Sequence, residues 1–516
     1  MKKLMNLYEN CRISIRLMFL GFVLIAFSSV IKSDSVNIFY TFRNTFLLLF
    51  AEGCGKLGQA IIVNMPLIFM LNLVCKKANS AYPVVLAITG YFSFLITTSL
   101  FASTSLASTA YTTTTGINSV FNLSSGTRYP LELGLITSFI VAYITRFSFV
   151  RSRHRSTLSI LGFLNKDSAG FIYNIVFCSL AGIGVAYLWP YVFMYIQRLI
   201  SYIGEDIMDP VRIGIYGIFD RLLSVLGLGN IIRQPFWYTS LGGSYQTVSG
   251  QSVVGDINIW NYVKDISSTY NGAGRFVTGY YIINMFLIPS LIISVYVTTS
   301  DADARHKLIL PALGLGFVSF VYGNPLPFEL VMLFTSPLLL VFYLLVVGIT
   351  FWYLSYAGIF LGTSLTSSSS TITAMPGSFP DFIINLRNIF YINTLGKIAV
   401  VGLIGGLIMF TLSFIYIRYL AYDITKSGKT SEFSSKIIDA VGGYENIVKA
   451  GNGLFRLTIT LNDLEKLDVN KIQALNIRRV SETKDGIDIE CGSSAYMIQK
   501  RINWILRHEA IDNGKV

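Results

Sequence analysis

The chain has 516 residues, of which 53% are hydrophobic, 14% aromatic and only 13% charged. That composition excludes a disordered chain or a small disulfide scaffold, and it argues against an ordinary soluble enzyme, whose charged share is about twice as large. The net charge of +12 is unevenly placed, because residues 1–420 hold 26 Lys/Arg and 15 Asp/Glu whereas 421–516 hold 14 and 13.

A bilayer span needs about 20 mostly apolar residues. In chain order such stretches lie near 17–31, 57–74, 82–101, 132–149, 172–197, 276–298, 308–323, 328–356 and 396–420. Stretches near 40–51 and 211–228 are shorter or more polar and are expected to be half-helices or interfacial segments. The expected fold is a polytopic α-helical membrane protein of about ten spans, followed by a small C-terminal cytoplasmic α/β domain.

Lys2, Lys3, Arg12 and Arg16 precede the first apolar run, which lacks a clear small-residue cleavage site and is expected to stay as a first helix. Its basic flank predicts a cytoplasmic N-terminus. Arg146, Arg151, Arg153 and Arg155, then Arg305 and Lys307, mark further cytoplasmic loops, and Arg418, Lys426 and Lys429 place the tail on the same side. Most of the excess charge is thus an orientation signal, and nucleic acid is not an expected partner.

Cys11, Cys54, Cys75, Cys178 and Cys491 are scattered without metal-like spacing, as are His154, His306 and His508. No metal or cofactor is expected.

Four acids stand out in apolar surroundings: Glu52, Glu132, Asp220 and Glu329. Ionisable groups in membrane segments are functional candidates by default. Glu329 has the strongest context, Gly323-Asn-Pro-Leu-Pro-Phe-Glu329, in which Pro325 and Pro327 predict a broken helix. A carboxylate there can accept hydrogen bonds from two hydroxyls of a polyol. Glu52 and Glu132 read better as helix-end residues at the membrane interface, and Asp220 and Arg221, adjacent in sequence, are expected to neutralise each other.

Behind a polar stretch at 422–434 the pattern changes. Ser435–Val441 reads as a helix stopped by Gly442-Gly443, Leu454–Leu461 and Gly486–Cys491 as strands, and Ala495–Arg507 as a helix. The expected division is a membrane domain over 1–424, a linker over 425–434 and a compact domain over 435–516. A Ser/Thr-rich stretch at 363–373 is expected to be a loop inside the membrane part.

Several segments resemble the glucose/maltose/N-acetylglucosamine superfamily of bacterial sugar phosphotransferase-system permeases, in which a membrane C-component is fused to a cytoplasmic B-component. Asn64-Met-Pro-Leu-Ile-Phe69 is similar to N-L-P-L-L-F, Leu161-Gly-Phe-Leu-Asn-Lys166 to L-G-F-F-G-G-K-R, and Trp189-Pro190 to a W-P pair. Gly255-Asp256-Ile257 and Gly274–Tyr281 resemble G-D-[IL] and A-G-x-F-M-T-G-F-F, and Gly377-Ser-Phe-Pro-Asp381 loosely resembles F-S-x-G-x-x-D. The resemblance implies a multi-pass protein of the bacterial inner membrane, a sugar or related polyol as ligand, and a homodimer with elevator-like motion.

The functional motifs depart from the family. Its N-R-L-L-x-P-x-G-L-H-H reads Asp220–Asn230 here, with Gly229 and Asn230 in place of both histidines; its G-I-T-E-P-I-E-F reads Gly323–Leu330, with Leu326 for the first glutamate and Glu329 for the second. In the tail Gly442-Gly-Tyr-Glu-Asn-Ile447 resembles the B-component's G-G-x-x-N-I, but its D-A-C-x-T-R-L-R falls on Gly451–Thr458 and the phospho-cysteine position is Gly453. Glycine has no atom to accept a phosphoryl group. Arg456 remains as an anion-binding remnant.

The expected function is therefore a permease-like transporter. It binds a polyol through Glu329, Asn230, Arg221 and Asp256, moves it by alternating access, and has no catalytic residue of its own for phosphotransfer. One alternative is a permease completed by a separate B-component and other phosphorelay proteins. Another is a sensor or structural membrane subunit on a borrowed fold.

Overall fold

The computed structural model describes residues 2–32, 45–75, 81–102, 120–121, 130–131, 133–153, 166–247, 250–264, 272–298, 302–363, 376–386, 391–420, 427–453, 456–475, 479–491 and 495–512. Glu132, His154, residues 161–165 and most of the 363–373 stretch lie outside these.

Up to residue 420 the described chain is almost entirely helical. Among the described residues, eight helical stretches are long and apolar enough to cross a membrane: Cys11–Ser29, Phe46–Val63, Tyr82–Phe101, Leu135–Ser152, Ser168–Glu205, Thr278–Thr298, Pro337–Tyr356 and Ile392–Arg418. Several expected spans are cut differently. The 57–74 run is divided at Asn64, between helices Thr45–Val63 and Met65–Cys75, so the spanning-length stretch starts in the region expected to be a half-helix. The 328–356 run splits into Leu326–Thr335 and Pro337–Tyr356. Pro66 and Pro337 each sit at a restart, where the missing amide N–H costs nothing.

Helix pairs meet through glycines. In the first helix, Lys2–Lys32, Gly21 faces Gly58, whose added Cβ would lie 2.5 Å from the Gly21 carbonyl oxygen. Helix Pro210–Val225 packs against Pro337–Tyr356 in the same way. A Cβ on Gly214 would come within 3.0 Å of the Gly348 oxygen, and one on Gly348 within 2.5 Å of Ile218 Cγ1. Small residues let helix backbones approach where lipid gives no hydrophobic drive for association. The outward faces stay apolar; Leu403 and Leu407 of helix Ile392–Ile415 are 65% and 69% exposed.

The tail has a four-stranded antiparallel sheet in the order β3-β4-β6-β5, from Ile447–Asn452 (β3), Arg456–Leu461 (β4), Val480–Thr483 (β5) and Gly486–Glu490 (β6). Strands β1 (Ser244–Gln246) and β2 (Ser252–Val254) form a separate hairpin in the membrane part. In the tail sheet Leu457, Ile459, Ile487 and Ile489 turn into one core with Ile437, Ile438, Ile498 and Ile502 of the flanking helices Ser427–Ala440 and Ala495–Asp512. The alternation in β4 and β6 is the period-2 pattern of a sheet covered on one face. Helix Ser427–Ala440 begins earlier than expected and covers most of the stretch taken for a linker. That stretch is polar, but from Lys429 to Ala440 it contains no Gly or Pro to stop a helix.

Candidate functional site

The site is assembled where three helices converge. Asp209 caps helix Pro210–Val225 by accepting the Val211 amide at 2.9 Å. On the face that carries Gly217, Asp220, Arg221 and Ser224 follow at helical spacing, and all four are buried. The helix ends in a tight reversal: the Leu228 amide donates to the Leu223 carbonyl at 2.8 Å, and Gly227 takes φ +82°, a conformation that favours glycine. The reversal sets helix Asn230–Tyr238 back against its predecessor and brings Arg233 onto Asp220.

Glu329 arrives from the other side. Helix Ala302–Phe317 passes through a π turn, Val318–Tyr322, and stops at Gly323 in the left-handed conformation. Asn324 Oδ1 accepts the Leu326 amide at 3.0 Å, and the chain restarts as Leu326–Thr335 with Glu329 in its first turn. The break that Pro325 and Pro327 lead one to expect is present. Leu330 and Phe334 of this short helix pack in one cluster with Phe22 of the first helix, which fixes its position.

Asp220, Arg221, Arg233 and Glu329 are 0%, 3%, 8% and 0% exposed, and their formal charges cancel. Arg221 Nε lies 3.0 Å from Glu329 Oε1, and Nη2 donates to Oε2 at 3.2 Å. Tyr343, from helix Pro337–Tyr356, donates its hydroxyl to Oε1 at 2.6 Å. Arg233 grips Asp220 through Nε at 2.5 Å and Nη2 at 3.3 Å, and also donates to Ser224 Oγ at 2.6 Å. Both guanidinium groups lie over the Tyr280 ring, at 5.8 Å for Arg221 and 5.6 Å for Arg233. Burying a charge costs several kcal/mol unless it is paired and hydrogen-bonded, and here every charged group has an opposite partner.

Four polyol-binding residues are expected from sequence. Glu329 and Arg221 meet directly. Asn230 is exposed at the first position of its helix, one turn before Arg233. Asp256 is held elsewhere, accepting the Gly274 amide at 2.7 Å and the Phe276 amide at 3.1 Å, so its carboxylate closes a loop. The expected Asp220–Arg221 neutralisation is weak at 3.8 Å, since both residues point to other partners. Sequence reasoning misses Arg233, Tyr343 and Tyr280. Arg233 is a lone cation in an apolar stretch and carries a signal of its own. Tyr343 lies inside a run of Leu, Val and Phe and carries none.

In the tail, Gly453 is buried and its amide donates to the Arg456 carbonyl at 2.7 Å across the β3–β4 connection. Arg456 is half exposed and faces Asp488 at 4.0 Å and Glu490 at 3.8 Å. Cys491 follows β6; burial, aided by Glu490, pushes its thiol up to about 12, the reverse of what a nucleophile requires. Among the described residues no group of three or more His, Cys, Asp or Glu is placed to hold a metal ion.

A helical membrane body with a paired, buried ionic cluster beside a broken helix has the features of a membrane transporter. The model of the family described as "Phosphotransferase system, EIIC" matches residues 16–348, nearly two thirds of the chain, and the chain belongs to that family. It is a multi-pass sugar permease of the inner membrane.

Proposed function

We propose that this permease binds and translocates a sugar or related polyol by alternating access, without phosphoryl transfer through its own tail. The observation that carries the proposal is Gly453: the position that matches the family's phospho-cysteine has no side chain and lies buried in a strand connection. Cys491 is no substitute, because its thiol is held protonated.

At the ligand site, Glu329 and Arg221 form the recognition pair. A ligand hydroxyl takes the place of the Tyr343 hydroxyl on Glu329, and a second accepts from the Arg221 guanidinium. Exchange of one neutral donor for another leaves the ion pair intact. Asn230, exposed one turn before Arg233, offers a further polar contact to the ligand, while Asp256 holds the Gly274–Phe276 loop. Residues 1–424 act as the membrane domain and 435–516 as a B-component-like domain that has lost its chemistry. Arg456, half exposed and 3.8–4.0 Å from Glu490 and Asp488, remains as the remnant of an anion site. Both termini are cytoplasmic, and the working unit is a homodimer, whose sheltered membrane face would account for part of the apolar surface.

The test is chemical. Membranes holding the full chain are incubated with the general phosphorelay proteins, phosphoenolpyruvate and labelled sugars. The expected outcome is bound or imported free sugar with no sugar phosphate and no label on residues 435–516. Sugar phosphate that appears only when a separate B-component is supplied would replace this proposal with a permease completed in trans.

A further inference from the structure

Two polar side chains near Tyr280 are completely buried and each has an atom without a partner. Asn284 is 0% exposed; its Nδ2 donates to the Gly323 carbonyl at 3.0 Å and to the Gly377 carbonyl at 3.3 Å, while its Oδ1 meets no donor among the described residues. Two carbonyl acceptors settle which end of the amide is nitrogen. Ser378, the residue after Gly377, is also 0% exposed, and its Oγ has no partner. The Phe382 amide donates to the Ser378 carbonyl at 3.0 Å, so Ser378 stands at the start of helix Phe379–Leu386. A serine there ordinarily turns its oxygen to a helix amide, and this one does not.

These atoms lie where several backbone irregularities meet. Asn284 belongs to a π turn, Ile283–Leu287, inside the Thr278–Thr298 stretch. Ser319, in the π turn Val318–Tyr322, donates to the Asn284 carbonyl at 3.0 Å. Gly323 and Gly377 both adopt positive φ, 80° and 76°. Such turns and broken helices concentrate at binding sites. Tyr280 stands four residues before Asn284 in the same helical stretch, packs against Gly377 and touches both Arg221 and Arg233. Glu329 is in the helix that follows the Gly323 break.

The geometry points to Asn284 Oδ1 and Ser378 Oγ as a second hydrogen-bonding subsite for an uncharged polyol, linked to the Glu329–Arg221 pair through Tyr280. A ligand hydroxyl donates to Asn284 Oδ1, and the Ser378 hydroxyl bonds to the same or a neighbouring ligand oxygen. Neither side chain is charged, so nothing at these two positions compensates a charged ligand. This subsite rests on the polyol ligand proposed above and adds where its far side is held. It also gives a role to the Gly377–Asp381 segment.

Ser378→Ala separates binding from folding, because it leaves the Asn284 amide and both of its carbonyls in place. The purified full chain is titrated calorimetrically with glucose, maltose and N-acetylglucosamine, and then with monodeoxy analogues of whichever sugar binds. Ser378→Ala is expected to weaken binding about fivefold to tenfold, the loss of one hydrogen bond. Its Tm stays equal to or above that of the wild type, since the variant deletes an unpartnered buried hydroxyl. One monodeoxy analogue should bind the wild type weakly by a similar factor, yet bind the variant no worse than the parent sugar does. Unchanged affinity with unchanged discrimination among analogues, or a lowered Tm with unchanged affinity, overturns the subsite and leaves the polyol reading standing. If none of the three sugars binds the wild type, both fall together.

Discussion

Arg221 and Glu329, 108 residues apart in sequence, share one ion pair with Nε 3.0 Å from Oε1, and neither side chain is more than 3% exposed. Because the pair is closed by protein groups on all sides, its strength and its availability to a ligand are linked.

Glu329→Gln should weaken sugar binding strongly while the protein still folds. The amide keeps one acceptor but leaves the Arg221 charge without its partner, at a stability cost of about 3 kcal/mol. Arg221→Gln combined with Glu329→Gln should recover at least ~1 kcal/mol relative to the sum of the singles. Thermal unfolding of the four chains gives the coupling, and sugar titration of Glu329→Gln gives the affinity. Undiminished affinity would remove the proposed recognition pair.

Arg233 and Asp220 should behave as a second coupled pair. Arg233→Gln strands a carboxylate that is 0% exposed and should cost about 3–5 kcal/mol. Asp220→Asn in the same chain should restore most of it, since two amides can hydrogen-bond where two charges did. The yield of folded protein in detergent, with Tm, decides the matter; equal damage in the single and double variants would count against the pairing.

Gly348→Leu should disable the site from a distance. The new side chain has to enter space held by Ile218, which forces helix Pro337–Tyr356 away from Pro210–Val225 and withdraws Tyr343 from Glu329. Loss of sugar binding and a lowered Tm are expected together. Gly396→Leu is the control, because an added Cβ there meets nothing within 4 Å.

Cys491 sets a pH signature in the tail. Burial holds its folded pKa at about 12, above the ordinary thiol value of 9.0, so the folded state binds the proton more tightly. Its contribution is fully present below about pH 9 and is lost as pH rises toward 12. In the full chain Cys491 should resist alkylation at pH 9–10 while exposed Cys75 reacts. Proteolysis of residues 435–516 should speed up above pH 9, and less so in Cys491→Ser.

The membrane character, the helical body and the break before Glu329 are legible in the sequence alone. Each follows from local properties: apolar length and paired prolines. Helix boundaries depart from the apolar runs where a single residue, Asn64 or Pro337, divides a run that composition reads as continuous. The tertiary structure alone decided which charges belong together. Asp220 and Arg221 are neighbours in the chain, yet consecutive helical positions point about 100° apart, and each finds its partner on another helix. Asp256 is a polar residue in a family motif, and its place on two loop amides is set by packing that no local pattern encodes. Tyr343 and Asn284 were hidden for the same reason: a residue's chemistry is written in the sequence, but the partner that gives it a role is supplied by packing.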